Sequence, residues 1–331
     1  MGKPEIQADV LQKWLTVTQK LYSTLELDES IRSTVDVALE ITGMKRGILL
    51  TCRDTGEFEV RHAQTDDGKP LEPADTPDVA AMMQNIPENN AALVKRSADG
   101  CSVLFPLLTE HPAMKARKLI GAIYCDSNEA AATPDPNALD LLRHHIGPAL
   151  ETVILYDWAT RDPQTQVYKR HYFNAVAVIE WRRTLRHKHP VSILKIDLDT
   201  LRDYNDRYGR KDGDMVLLKT AEILKDICRT EDVIARYEED EFAVLLAETD
   251  APGARLVAGR IAEEVPLLLT REPERPVTVS IGVAVFPRCS VSNIYDLMKL
   301  ADVALQQAKQ AGGKRAFIYE PSLSTAHKKV F

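Results

Sequence analysis

The second half of the chain alternates helix-periodic and strand-like segments at short intervals, and this alternation restricts the fold more than any other feature of the sequence. A helix at about 170–187 precedes the strand 191-VSILKIDLD-199 and the amphipathic helix 212-DGDMVLLKTAEILKDIC-228. Strands at 233-VIARY-237 and 241-EFAVLLA-247, a helix at about 251–266, the strand 276-PVTVSIGVAVF-286 and a helix at 293–312 complete the series. The pattern predicts an α/β layered domain, a sheet covered by helices. The strands 233–237 and 241–247 read as a hairpin whose tip carries the consecutive carboxylates 238-EEDE-241, where a reversing chain ordinarily uses glycine.

The first half has a different texture. Residues 9–26 read as an amphipathic helix through Val10, Trp14, Leu15, Leu21 and Leu25, and 30-SIRSTVDVALEITG-43 as a second helix with Gly43 as its C-cap. Strand-like runs follow at 47-GILLTC-52, 57-EFEVRHA-63, 102-SVLFPLL-108 and 119-LIGAIYCD-126, which predicts an α+β module with a mostly antiparallel sheet. An exposed loop is expected at 127-SNEAAATPDPN-137. After it, Leu139, Leu142, Ile146, Ala149, Val153 and Tyr156 recur at spacings of three and four, the pattern either of a dimerising coiled-coil seam or of a helix packed on its own domain. Gly147-Pro148 should kink or divide that helix, because proline lacks the N–H and clashes with the preceding turn. The expected organisation is an N-terminal helix at 1–27, a first domain at 28–136, a linker helix at 137–160, a second domain at 161–322 and a tail at 323–331.

A chain of 331 residues can supply two such cores. Its formal charge of -7 and pI of about 5.7 argue against nucleic acid or an anionic membrane as the main partner, since both require a cationic face. No apolar run approaches the ~18 residues that cross a bilayer, and 1-MGKPEIQADV-10 lacks the apolar stretch of a signal peptide, so a cytoplasmic location is expected. Cys52, Cys101, Cys125, Cys228 and Cys289 form no C-x-x-C pair and predict neither a zinc site nor a disulfide framework. The basic run 182-RRTLRHKH-189 reads as a solvated helix face, and His144 and His145 as helix residues without assigned chemistry.

Asp197 and Asp199 close one strand while Asp240 and Glu241 lie in the neighbouring hairpin, so carboxylates from separate segments can converge. Hard oxygen ligands of this kind hold Mg²⁺ together with a substrate's phosphates, and the alternative is a solvated acidic turn.

The pieces 192-SILKIDLDTLRDYNDRYGRKDGDMVL-217, 229-RTEDVIARYEEDEFAVLL-246, 278-TVSIGVAVFP-287 and 301-ADVALQQAK-309 resemble, in order, the GGDEF domain of diguanylate cyclases, which condense two GTP into cyclic di-GMP. The first half is similar to a GAF domain through 42-TGMKRGILL-50, 103-VLFPLL-108 and 120-IGAIYCDS-127. The resemblance implies a GAF-like antiparallel sheet with helices, a linker helix, and a nucleotidyl-cyclase-like sheet covered by helices. It implies metal ligands at Asp197, the Leu198 carbonyl and Asp240, with Glu241 beside them. It also implies guanine recognition by Asn205 and Asp214 and phosphate binding by Lys309.

The two glycines of the signature are Glu238 and Glu239 here. A glutamate at positive φ would cost about 1–2 kcal/mol, and a carboxylate ~4 Å from a phosphate charge would repel it by about 4 kcal/mol at an effective dielectric near 20. GTP is therefore expected to bind poorly. The family's leading motif, D-x-L-T-G-L-x-N-R, appears as 162-DPQTQVYKR-170, without the leucines, the glycine and the asparagine. Leu201-Arg202 replaces Phe-Lys, Arg210 replaces a histidine, and Gly313 replaces an arginine.

Arg229 stands nine residues before Glu238, and 229-RTED-232 matches the R-x-x-D of the family's inhibitory site, which binds cyclic di-GMP away from the catalytic pocket, with Arg260 aligned to a second arginine. Arginine offers a planar fork to phosphate and guanine edges and stacks on purines. The expectation is a non-catalytic receptor that binds cyclic di-GMP through Arg229, Asp232 and Arg260, signals to a protein partner, forms a homodimer and needs no cofactor. An active, Mg-dependent cyclase and a nucleotide-free interaction scaffold are the alternatives.

Overall fold

The computed structural model describes residues 19–20, 23–52, 58–72, 93–97, 100–111, 116–127, 136–199, 201–270 and 276–320. The chain divides into two compact units, Met1–Ala159 and Thr160–Phe331. Of the helix expected at 9–26, residues 19–20 are helical, 23–26 form a non-helical connection that ends the helix earlier than expected, and the remainder lies outside the described residues, as do most of the loop 127–137 and the tail 323–331.

In the first unit, helix α1 (Leu27–Thr42) ends at Gly43, whose φ of 67° is the left-handed cap conformation expected there. Five antiparallel strands follow: β1 (Arg46–Cys52), β2 (Phe58–Thr65), β3 (Leu93–Ser97), β4 (Gly100–His111) and β5 (Ala116–Ser127). Their order is β2-β1-β5-β4-β3. Strand alternation places Leu49, Val103, Phe105 and Ile123 against α1, where Ile31, Val35 and Leu39 meet them.

Helix α2 (Pro136–Thr160) covers the same core with Leu139, Leu142, Ile146, Ala149 and Leu150. Leu139, Leu142, Ile146 and Ala149 of the heptad-like series are thus committed to the first unit's own core. The helix is also not divided at Gly147-Pro148, because buried side chains on both sides of Pro148 hold it to the sheet as one element.

The second unit is a six-stranded sheet in the order β11-β10-β7-β9-β8-β6. Its strands are β6 (Tyr168–Lys169), β7 (Val191–Leu198), β8 (Val233–Arg236), β9 (Glu241–Ala247), β10 (Val279–Phe286) and β11 (Ala316–Ile318). The β6–β8 and β10–β11 pairs are parallel and the rest antiparallel. Among the described residues its helices are α3 (Arg170–His187), α4 (Leu201–Tyr208), α5 (Arg210–Ile227), α6 (Ala251–Leu269) and α7 (Ile294–Gln310).

Strand β7 is buried along its whole length and sorts the layers by alternation. Leu194, Ile196 and Leu198 face the α5 and α6 side with Leu217, Leu224, Ala258 and Ile261. Val191 and Ile193 face the α3 and α7 side with Phe173, Ala177, Leu297 and Ala301. Gly282 lets α7 approach this closely: a Cβ there would lie 2.1 Å from the Ala301 carbonyl oxygen and 2.2 Å from the Leu305 nitrogen. Asp250 and Asn293 cap α6 and α7 by accepting from the N–H groups of Gly253 and Asp296.

Candidate functional site

The acidic cluster assembles where β7 and β9 run side by side. Asp197 lies directly opposite Glu241, and the Leu198 N–H donates to the Asp240 carbonyl at 3.3 Å. Asp197 is buried, and Lys309 Nζ from α7 donates to its Oδ2 at 2.5 Å. Burial pushes the Asp197 carboxyl above its ordinary range, with Lys309 opposing and Asp240 and Asp199 adding to the rise. Glu241 is raised as well, by burial first, with Lys195 opposing and Asp197 and Glu238 adding. Asp199 is turned elsewhere: it accepts from the Thr278 and Ser280 hydroxyls and from the Lys314 N–H.

The signature turn is not strained. Glu238 and Glu239 are absent from the residues with positive φ, so the anticipated cost of 1–2 kcal/mol does not arise. The N–H groups of Tyr237 and Glu238 both donate to the Glu241 carbonyl, at 2.7 and 3.2 Å, and close a turn that ordinary backbone angles can make. The exposed Glu238 carboxylate pairs with Arg170 Nη1 at 3.2 Å. Arg236 donates through Nε and Nη2 to the Glu239 carbonyl, at 3.2 and 2.7 Å. Tyr237, just before the turn, carries the Arg170 guanidinium 4.6 Å and the Lys195 ammonium 3.4 Å from its ring centroid. Lys195 is 2% exposed and also pairs with Asp302 at 3.1 Å.

Asn205, on α4, lies against Gly213 of α5, and Asp214, also on α5, meets Gln164. The Asn205 Oδ1 is buried and accepts no hydrogen bond among the described residues; a Cβ on Gly213 would lie 1.6 Å from it, so glycine is required there to leave Asn205 in place. Asp214 accepts from Gln164 Nε2 at 2.9 Å. Asp162 accepts from the Thr165 N–H and hydroxyl and from Arg236. Burial alone would raise the Asp162 carboxyl, and these bonds outweigh it and hold the group below its ordinary value.

Arg229 and Asp232 lie in the turn between α5 and β8, on the wall of a cleft of about 270 Å³. Arg161, Tyr168, Lys225, Cys228 and Thr230 also line it, so three cations, one carboxylate and an aromatic ring share the cleft. Both Asp232 oxygens serve the backbone: Oδ2 accepts from the Arg229 N–H at 2.9 Å and Oδ1 from the Ala247 N–H at 3.2 Å. Asp232 therefore orients the main chain of Arg229. The Arg161 guanidinium lies 4.5 Å from the Tyr168 centroid, and Tyr168 stacks on Tyr172 at 4.2 Å.

Lys225 is lowered, by burial first and then by the charge of Arg161. The Cys228 thiol is pushed up to about 12, by burial first. Arg260 does not line the cleft; it pairs with Glu264 on α6 at 3.5 Å, although its charge reaches Cys228. Arg161, Tyr168 and Lys225 carried no signal in the sequence, since only the tertiary fold brings positions 161, 168 and 225 beside 229.

Among the described residues no three His, Cys, Asp or Glu side chains form a metal cluster, and no helix is long and apolar enough to cross a membrane. The carboxylates that do converge, Asp197 and Asp240, are hard oxygen donors whose mutual charge a divalent cation would relieve, so the donor chemistry suits Mg²⁺.

Residues 159–315 match the family described as "Diguanylate cyclase, GGDEF domain". The probable diguanylate cyclase DgcT of Escherichia coli is 34% identical over 179 residues, which cover 53% of this chain and 38% of that protein. Diguanylate cyclase A of Treponema denticola is 33% identical over 184 residues, covering 54% of this chain and 49% of that protein. The chain thus spans less than half the length of these curated relatives. Among solved structures, the GGDEF domain of DgcB from Caulobacter crescentus in complex with c-di-GMP is 25% identical, covers 49% of this chain and 96% of that chain, and superposes with a TM-score of 0.45. On the family match over its length, the segment 159–315 is a GGDEF domain.

Proposed function

We propose that this GGDEF domain is a receptor for cyclic di-GMP that binds its ligand in the cleft around Arg229. The observation that carries the reading is the lining of that cleft. Arg161, Lys225 and Arg229 supply charge for phosphate, and the two arginines planar guanidinium faces for a purine. Asp232, the one acid of the lining, spends its oxygens on backbone N–H groups. The catalytic side supports the same reading, since Lys309 is paired with Asp197 and Asp214 with Gln164. In this role the domain needs no cofactor and passes its signal to a protein partner, with the first unit as a GAF-like input or dimerisation module. Titration with cyclic di-GMP tests the reading, and saturable binding is the expected result.

A second reading, an active cyclase, is favoured by the unstrained turn, which leaves Asp197, Asp240 and Glu241 together with Glu238 turned to Arg170. Asp197, Asp240 and the Leu198 carbonyl would then hold Mg²⁺, which supplies charge neutralisation for a triphosphate. A turnover assay with GTP and Mg²⁺ separates the two: the receptor reading predicts no cyclic di-GMP above background. Production that Asp240→Ala abolishes would establish the cyclase instead.

A further inference from the structure

The side-chain amide of Gln164 is held at both ends. Arg236 Nη1 donates to its Oε1 at 2.6 Å, which turns Nε2 toward α5. There Nε2 donates to Asp214 Oδ1 at 2.9 Å and to the Asp214 carbonyl at 3.3 Å. Arg236 is fixed in turn by Asp162 at 3.2 Å and by its bonds to the Glu239 carbonyl. One amide thus ties Asp214 to the signature turn.

We infer that Gln164 is a positioning residue that latches Asp214 against an incoming nucleobase. The inference rests on the reading that Asn205 and Asp214 face a guanine. A carboxylate only accepts hydrogen bonds, and guanine offers it two donors, the ring N1–H and the 2-amino group. With Oδ1 already accepting from Gln164 Nε2, a base that pairs with both carboxylate oxygens must share Oδ1 with that amide or displace it, and either weakens a charge-assisted hydrogen bond. Asn205 offers no substitute, because its Oδ1 is buried against Gly213. The family motif has leucine at this position, which has no group to donate, so the latch belongs to this chain's own sequence.

The test titrates the full chain and its Gln164→Met variant, which keeps the side-chain length and removes the amide, with GTP and with inosine triphosphate, which lacks the 2-amino group. The latch predicts that GTP affinity rises about tenfold in the variant, the worth of one hydrogen bond to a charged group. Inosine triphosphate should gain less, so the preference for GTP widens; a merely structural role for Gln164 would move both ligands equally. Unchanged or weaker GTP binding in Gln164→Met, or an equal gain for both ligands, would overturn the latch. Asp214→Asn in the Gln164→Met background separates this from failure of the underlying reading. Loss of GTP binding there keeps Asp214 as the base-reading residue whatever the fate of the latch, whereas unaltered binding overturns both.

Discussion

Gln166 occupies the left-handed region at φ 56°, in the place where the family's leading motif has glycine. The turn survives the loss of that glycine because Asp162 holds it from within: the Gln166 N–H donates to the Asp162 carbonyl at 2.9 Å, and the Asp162 carboxylate takes Thr165. The strain anticipated at the signature turn is instead found here. Gln166→Gly should raise stability by about 0.5–1 kcal/mol, the relief of left-handed strain less the extra freedom of glycine in the unfolded chain. Chemical denaturation checks this, and a loss of stability would show that the side chain stabilises the turn by more than its backbone strain costs. Conformation at a single residue is poorly legible in a sequence. The pair Glu238-Glu239 looked strained because glycines stand there in the family, yet hydrogen bonds to the Glu241 carbonyl let the turn close at ordinary angles.

Elements were far more legible than turns. The helices α3, α5, α6 and α7 and the strands β7 to β10 each bury a continuous apolar face, and a periodic face is what a sequence displays. The pieces that escaped notice are short or polar: β6 has two residues, β11 three, and α4 buries only Leu201. The placement of α7 matters most for the site, since it carries Lys309 to Asp197 and Asp302 to Lys195. That placement depends on Gly282, whose missing Cβ makes room for the backbone of Ala301 and Leu305. Because backbone cannot yield as a side chain can, Gly282→Ala should destabilise the domain by about 3 kcal/mol or more, read from the denaturation midpoint. A cost under about 1 kcal/mol would mean that α7 shifts freely on the sheet.

At the scale of the whole molecule, the net charge of -7 is unevenly divided. Residues 160–331 hold 27 Lys and Arg against 25 Asp and Glu, so the acidity belongs to the first unit and does not oppose an anionic ligand on the second. Within the second unit the fold gathers Arg161, Lys225 and Arg229 around one cleft, a concentration of charge that composition does not reveal. Arg229 and Asp232 were legible through their register against the signature; their companions were not, because positions 161, 168 and 225 meet 229 only in the folded sheet and helices. The central claim, that this cleft receives cyclic di-GMP, is tested most directly by calorimetric titration of nucleotide-stripped protein beside its Arg229→Ala variant. The account predicts saturable binding in the low-micromolar range or tighter, weakened at least tenfold by the substitution, as expected for loss of a charge-assisted contact. Absence of binding, or undiminished affinity in Arg229→Ala, would contradict it.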